Sequence, residues 1–158
     1  MAVTDMIAPR PSNRGFTLIE FVFVMAIGVV LAAVGTPVLQ GALGEQRLRS
    51  GATDISNALA EARREAFRAS AVARVEVDPA DGRVSVFVFS VAANAQVERR
   101  RMFLPNGVVF DGVNAVTSYT FDTLGRPAAL PMTLQVRSVQ TGVVRTITVL
   151  GSGRVAIT

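Results

Sequence analysis

Residues 14–45 read RGFTLIEFVFVMAIGVVLAAVGTPVLQGALGE, and this stretch decides the architecture of the chain. After Glu20 no charged residue occurs until Glu45, which leaves the 24 residues 21–44 uncharged. As an α-helix they would rise about 36 Å, which exceeds the roughly 30 Å thickness of the hydrocarbon core of a bilayer. We therefore predict a transmembrane helix over residues 16–44 that carries one carboxylate near its start.

A short basic leader precedes this helix. Arg10 and Arg14 lie just before the apolar run, and Pro9 and Pro11 disfavour helix in the leader. Positive residues flanking a first span place that end of the chain in the cytoplasm. We therefore expect residues 1–15 to be a cytoplasmic leader and the chain after the span to lie on the other side of the membrane.

Two other interpretations of the apolar stretch stay open. A secretory signal peptide has an apolar core of about 7 to 15 residues and a small-residue cleavage site. Ala33-Val34-Gly35 has that composition, although Glu20 would then lie inside the core and Pro37 would follow closely. The other interpretation is a plain signal anchor that is never processed. Length and hydrophobicity exclude a buried helix of a soluble protein.

Beyond the span the helix becomes amphipathic. Small and apolar residues recur at helical spacing: Leu48, Ala52, Ile55, Leu59, Ala62 and Ala66. Charged residues occupy the other faces. The pattern predicts an amphipathic helix over residues 45–70 whose apolar stripe needs a cover, while the flank with Arg63 and Arg64 stays free for partners.

From residue 73 the period of the sequence changes to two, which is typical of β-strands. Turn residues separate the β-prone runs, which are residues 73–78, 83–91, 97–103, 108–110, 117–121, 133–139, 143–150 and 155–158. The sequence therefore predicts an α+β fold: a long N-terminal helix, transmembrane and then amphipathic, packed on antiparallel β-sheets formed by residues 73–158.

Composition narrows the possible chemistry. The chain has neither His nor Cys, which removes disulfides, thiol nucleophiles, Cys/His metal sites and histidine bases. Solvation or turn capping accounts for the carboxylates on the predicted strands and turns: Glu76, Asp78, Asp81, Glu98, Asp111 and Asp122. A net charge of +4 does not by itself indicate nucleic-acid binding. We expect no catalytic residues, no metal site, no cofactor and no enzymatic activity.

The hexapeptide GFTLIE at residues 15–20 resembles the processing motif of type IV prepilins and type II secretion pseudopilins. The resemblance implies that prepilin peptidase cleaves the chain between Gly15 and Phe16 and methylates the new amino group on Phe16. It also implies that Glu20 takes part in subunit assembly, by neutralising the terminal amine of a neighbouring subunit within the lipid.

Weaker elements extend the resemblance over most of residues 14–158. They are Arg-Leu-Arg-Ser at 47–50, an Ala-rich run at 58–66, Phe-x-x-x-Gly-Arg at 121–126 and Gly-x-Gly-Arg-Val at 151–155. Together with the prepilin-type start, the chain resembles the GspH/FimT family of minor pseudopilins and minor pilins.

This family resemblance implies a pilin-like subunit of the inner membrane with a periplasmic domain over residues 45–158. Its implied role is in type II secretion, with prepilin peptidase, other major and minor pseudopilins and inner-membrane lipid as partners. The alternative is a FimT-like minor type IV pilin that acts in pilus biogenesis or DNA uptake.

The second half of the span contains a weak point. Pro37 lacks a backbone donor and clashes with the carbonyl of Ala33, and Gly35 lies beside it. A mild kink, common in spanning helices, is one interpretation. The resemblance to pilins implies another, in which this segment unwinds when subunits pack in a filament.

Arg99, Arg100 and Arg101 form the one basic run, and strand alternation would place Arg99 and Arg101 on one face with Arg100 on the other. A solvated strand edge explains such a run, as does contact with phosphates or an acidic partner. Some FimT-like proteins are associated with DNA through Gly-Arg-x-Arg near the C-terminus, but here Ala156 replaces the second arginine after Arg154. Arg99, Arg101 and Arg154 are the candidate contacts, and DNA is not the favoured partner.

Overall fold

A computed structural model describes residues 16–158; the predicted leader, residues 1–15, lies outside the described residues. Helix α1 spans Leu18–Ala69 and is followed by eight strands. The strands are β1 (Ala73–Asp78), β2 (Arg83–Ser90), β3 (Ala95–Phe103), β4 (Val108–Asp111), β5 (Thr117–Phe121), β6 (Met132–Ser138), β7 (Val144–Val149) and β8 (Val155–Ile157). Each predicted element is present, and its bounds agree with the prediction to within two residues.

The chain separates into two compact units, one ending at Val38 and the other comprising Leu39–Thr158. The described part of the first unit is the beginning of α1. Its helix is long and apolar enough to cross a membrane, and none of its most apolar window is buried within the chain. The helix is unbroken at Pro37, where the Thr36 hydroxyl donates a hydrogen bond to the Ala32 carbonyl at 2.6 Å. Unwinding at Gly35 and Pro37 stays a prediction.

The second unit contains two four-stranded antiparallel sheets. One has the order β3-β2-β1-β5 and the other β4-β6-β7-β8. Consecutive hairpins build β1 to β3, whereas β4 leaves that sheet and pairs with β6. The antiparallel arrangement predicted from the sequence is confirmed.

The second half of α1 and both sheets share one hydrophobic core. The buried residues of α1 are Gly44, Leu48, Gly51, Ala52, Ile55, Ala58, Leu59, Ala62 and Ala66, which contain the whole predicted stripe. They pack with buried strand residues such as Val75, Phe121 and Ile147. Small residues bring the helix close to its cover: a Cβ on Gly51 would lie 3.2 Å from Cδ of Pro105.

Replacing Ile55 with alanine is expected to lower the free energy of unfolding of the second unit by about 2–5 kcal/mol. Ile55 is fully buried in the core, so truncation leaves a cavity. Val91→Ala is the control, because Val91 is 81% exposed and its change should stay within about 0.5 kcal/mol. Urea titration followed by circular dichroism measures both, and equal effects would contradict the core position of Ile55.

Candidate functional site

Thr17 and Glu20 cap the beginning of α1. The Oε2 atom of Glu20 accepts hydrogen bonds from the Thr17 backbone N–H at 2.8 Å and from the Thr17 hydroxyl at 2.9 Å. The Glu20 N–H donates back to the Thr17 hydroxyl at 3.3 Å. This reciprocal pair is a capping box, in which the side chains satisfy backbone donors that the first turn leaves unpaired. Thr17 was not among the predicted site residues, although the spacing Thr-x-x-Glu is the sequence signal of a capping box.

The capping box gives Glu20 a partner within its own chain. A carboxylate in apolar surroundings is costly unless donors satisfy it, and Thr17 supplies two. The carboxylate is thereby held one residue from Phe16, which is 88% exposed. Cleavage at Gly15 falls outside the described residues, so processing and the assembly role of Glu20 stay predictions. Both hydrogen bonds use Oε2 of Glu20, so Oε1 stays available as an acceptor for a partner in another subunit.

A β-bulge changes the arrangement of the basic run on β3. Val86 of β2 pairs with Arg100, whereas the next residue, Phe87, pairs with Glu98, so that Arg99 is an extra residue without a partner position. The predicted alternation holds between Arg100 and Arg101, which pair with the neighbouring residues Val86 and Ser85, and the inserted residue interrupts it at Arg99.

Two of the three arginines are engaged in ion pairs. Arg100 contacts Glu61 of α1 at 2.8 Å, and Arg101 donates two hydrogen bonds to Glu98 at 2.8 and 2.6 Å. The hydrogen bonds from Arg101 and then from Ser85 lower the pKa of Glu98, and Glu98 in turn raises the pKa of Arg101. Because β3 is an outer strand of its sheet, these contacts fit the interpretation of a charged edge.

Two turns that are distant in sequence meet over Arg63. Gly125 and Gly153 both have positive φ, +70° and +76°. A Cβ on Gly153 would lie 2.7 Å from Nε of Arg63 and 2.9 Å from the carbonyl oxygen of Gly125, and a Cβ on Gly125 would lie 3.1 Å from Arg63. The Phe-x-x-x-Gly-Arg and Gly-x-Gly-Arg-Val elements thus form one contact on α1. Arg64 is exposed as predicted, whereas Arg63 is only half-exposed, because the two turns partly cover it.

The candidate contacts Arg99, Arg101 and Arg154 do not form one surface. Arg99 and Arg101 belong to the β3 edge, whose Arg100 reaches Glu61 of α1. Arg154 follows Gly153, which contacts Arg63 of the same helix. Glu61 and Arg63 are two positions apart on α1, so their side chains point about 200° apart around the helix. The β3 edge, which contacts Glu61, and Arg154, which is next to the contact with Arg63, therefore lie on opposite flanks of α1.

A surface depression lies beside the two glycine turns. Its volume is about 630 Å³, and we call it the lateral notch; its lining residues are Ala60, Arg63, Arg64, Phe67, Arg68, Leu124 and Gly125. Phe67 is 66% exposed and Leu124 is 59% exposed. An exposed aromatic side chain among arginines is the combination that protein-binding surfaces favour. No acidic residue lines the notch, so it holds no acid–base pair.

Comparisons with known proteins bear on the start of the chain and on its fold. Residues 10–36 match the family model described as the prokaryotic N-terminal methylation motif. No curated protein matches the chain by sequence.

The fold is similar to that of the minor pseudopilin EpsH from the type II secretion system of Vibrio cholerae. Two EpsH structures match with TM-scores of 0.58 and 0.56 at 15% and 14% identity, and cover 71% and 72% of this chain and 96% of each EpsH chain. The type IV minor pilin FimU of Pseudomonas aeruginosa strain PAO1 matches with a TM-score of 0.55 at 20% identity, covering 72% of this chain and 90% of that one. The chain thus joins a prokaryotic N-terminal methylation motif to the pilin-like α+β fold of minor pseudopilins and minor pilins.

Proposed function

We propose that this chain is a minor pseudopilin of a type II secretion system, which takes part in pseudopilus assembly and so in protein export across the outer membrane. The observation that carries the proposal is the methylation motif at residues 10–36, which overlaps the start of a helix long enough to cross a membrane and is combined with a fold similar to that of EpsH. Residues 16–44 anchor the chain in the inner membrane. Residues 1–15 lie in the cytoplasm and residues 45–158 in the periplasm, as the flanking Arg10 and Arg14 support.

Prepilin peptidase cleaves between Gly15 and Phe16 and methylates the new amine. The intact mass of protein extracted from membranes is therefore expected to correspond to residues 16–158 plus one methyl group. Gly15 has no side chain, so the backbone can approach the peptidase closely; Gly15→Val is expected to leave the leader attached and serves as the control. A chain that starts at Thr36, or one that retains Met1, would show that the start is a signal peptide or an unprocessed anchor.

The role of the processed chain is structural. The chain has no His and no Cys, and within residues 16–158 no group of acidic side chains could hold a metal ion. The lateral notch instead offers Phe67 and Leu124 beside Arg64, which suits a sibling pseudopilin that presents an apolar side chain flanked by carboxylates.

A minor type IV pilin, acting in pilus biogenesis or DNA uptake, is the second candidate, and the similarity to FimU favours it. Deleting the gene separates the two. Loss of protein secretion with normal pili supports the secretion role, whereas normal secretion with loss of pili or of DNA uptake supports the second candidate.

The folded unit from Arg47 onward is expected to show no salt-sensitive DNA binding at micromolar concentration. Arg100 and Arg101 already have acidic partners, and Arg154 lies on the other flank of α1. Gel-shift titration at two salt concentrations measures this, because each phosphate contact adds about −0.9 to the slope of log K against log salt. Binding that falls steeply with salt and disappears in Arg101→Ala or Arg154→Ala would instead favour DNA uptake.

A further inference from the structure

The turn between β6 and β7, residues 139–143, lies against the first buried residue of α1. That residue is Gly44. A Cβ on Gly44 would lie 2.9 Å from Oε1 of Gln140 and 3.4 Å from Cγ2 of Thr141, whereas a Cβ on Gly41 would meet nothing within 4 Å. Glu45, the first charged residue after the apolar run, follows directly. The β6–β7 turn therefore reaches α1 where the charge-free segment of the helix ends.

The β6–β7 turn is apolar on its outer side. Val139 is 59% exposed, Val143 is 44% exposed, and Leu43 of α1 beside Gly44 is 40% exposed. No charged residue occurs between Arg137 and Arg145. Hairpin turns that face water are usually rich in Gly, Asn, Asp, Ser and Pro. Here two exposed valines and Leu43 instead lie where the charge-free segment of α1 ends.

Backbone hydrogen bonds hold this turn in place. The Ser138 N–H donates to the Val143 carbonyl at 2.9 Å, and the Val139 N–H donates to the Gly107 carbonyl at 2.8 Å. The Ser138 side chain is fully buried. The exposed valines are therefore presented by a fixed turn, and burying them in another medium needs no rearrangement of the chain.

Three arginines follow the apolar tip along the chain. Arg47 and Arg49 lie on the next turn of α1 and Arg145 on β7, and both Arg49 and Arg145 pair with Glu45. Within residues 16–158 Arg47 has no acidic partner. An apolar tip with a basic rim complements the boundary between acyl chains and anionic headgroups in a bilayer.

We propose that the β6–β7 turn is a second membrane contact, in which Val139 and Val143 enter the headgroup boundary of the leaflet where α1 emerges and Arg47 meets lipid phosphates. The occupant is lipid, not a second subunit, because the turn adjoins the place where the apolar helix ends. The inference rests on the proposed anchoring of α1. It implies that the outer domain rests on the membrane before assembly, and that incorporation into a filament breaks this contact.

Single-tryptophan reporters test the contact, because the natural chain contains no Trp. The full chain is reconstituted in vesicles of phosphatidylcholine and phosphatidylglycerol whose acyl chains carry bromine near the headgroup, and the emission of Val143→Trp and Val139→Trp is recorded; a second preparation with bromine deep in the acyl chains serves the span reporter. Val91→Trp is the matched exposed control. Val91 directly follows β2, and the Phe89 N–H of that strand donates a hydrogen bond to the carbonyl of Val72, just after α1 ends. That end of α1 is about 37 Å along the helix from Gly44. Val30→Trp reports the span.

We expect bromine quenching and a blue shift for Val143→Trp, quenching for Val139→Trp, and unchanged emission for Val91→Trp. Replacing Arg47 with Ala should reduce the quenching in vesicles that contain phosphatidylglycerol. If Val30→Trp is quenched while both turn reporters stay as unquenched as Val91→Trp, the second contact is overturned and the anchoring stands. If Val30→Trp is itself unquenched, the anchoring fails and the second contact fails with it.

Discussion

Gly153→Ala is expected to lower the free energy of unfolding of the second unit by about 3–5 kcal/mol. A positive φ costs a non-glycine residue about 1–3 kcal/mol, and overpacking adds a similar amount. At Gly153 both apply, because φ is +76° and the new Cβ would lie 2.9 Å from a carbonyl oxygen of another turn. Urea unfolding of the folded unit from Leu39 onward measures the change.

Gly112→Ala separates the two effects at this contact. Gly112 has a φ of +70°, but a Cβ there would meet nothing within 4 Å. Its replacement should therefore cost only the conformational part, about 1–2 kcal/mol. Truncating Arg63 to Ala in the Gly153→Ala background should recover about 1 kcal/mol or more relative to the sum of the single changes, because Nε and Cδ of Arg63 no longer crowd the new methyl group. Equal losses in Gly153→Ala and Gly112→Ala would contradict the contact between the turns.

Glu20→Ala is expected to lower incorporation into the pseudopilus by at least about tenfold, while insertion and cleavage continue. A charge at the centre of a bilayer costs roughly 2.5–3.5 kcal/mol on insertion scales, and less near the ends. Without the Glu20 carboxylate, the charged Phe16 amine of a neighbouring subunit would be buried in lipid at part of this free-energy cost. Each 1.4 kcal/mol of that cost lowers the affinity between subunits about tenfold. The yield of sibling pseudopilins that co-purify with the chain measures incorporation. Unchanged co-purification would count against an assembly role.

Two further variants divide the capping function of Glu20 from its charge. Glu20→Gln can keep the capping box with Thr17, since a Gln side chain serves at this position, but it removes the charge. Thr17→Ala removes the cap and keeps the charge. Pairing with the amine of a neighbour requires Glu20→Gln to be as defective as Glu20→Ala and Thr17→Ala to be mild. The reverse order would make Glu20 a helix cap only.

Local patterns made much of the architecture predictable. Three patterns each indicate the structure of one segment: the uncharged run to Gly44, the helical spacing from Leu48 to Ala66 and the two-residue period from residue 73. Within such a segment, the position of a residue in the period decides whether its side chain faces the core or solvent. The bounds of α1 and the eight strands followed from the same signals and from turn residues. The capping box of Thr17 and Glu20 is equally local, since its two residues are three positions apart.

The candidate site depended on contacts that periodicity does not report. The bulge at Arg99 is one inserted residue, and the pairing of Arg100 with Glu61 joins positions 39 residues apart. Gly125 and Gly153 looked like ordinary turns in the sequence, and only the packing of both sheets on α1 brought them together over Arg63. The sequence by itself determined which segments are helix and strand and which faces are apolar, because those properties arise between near neighbours. Only the tertiary structure decided which turns, charged residues and strand edges meet. Those contacts join residues distant in sequence, and they form only when packing around the shared core offsets the entropic cost of closing the long loops between them.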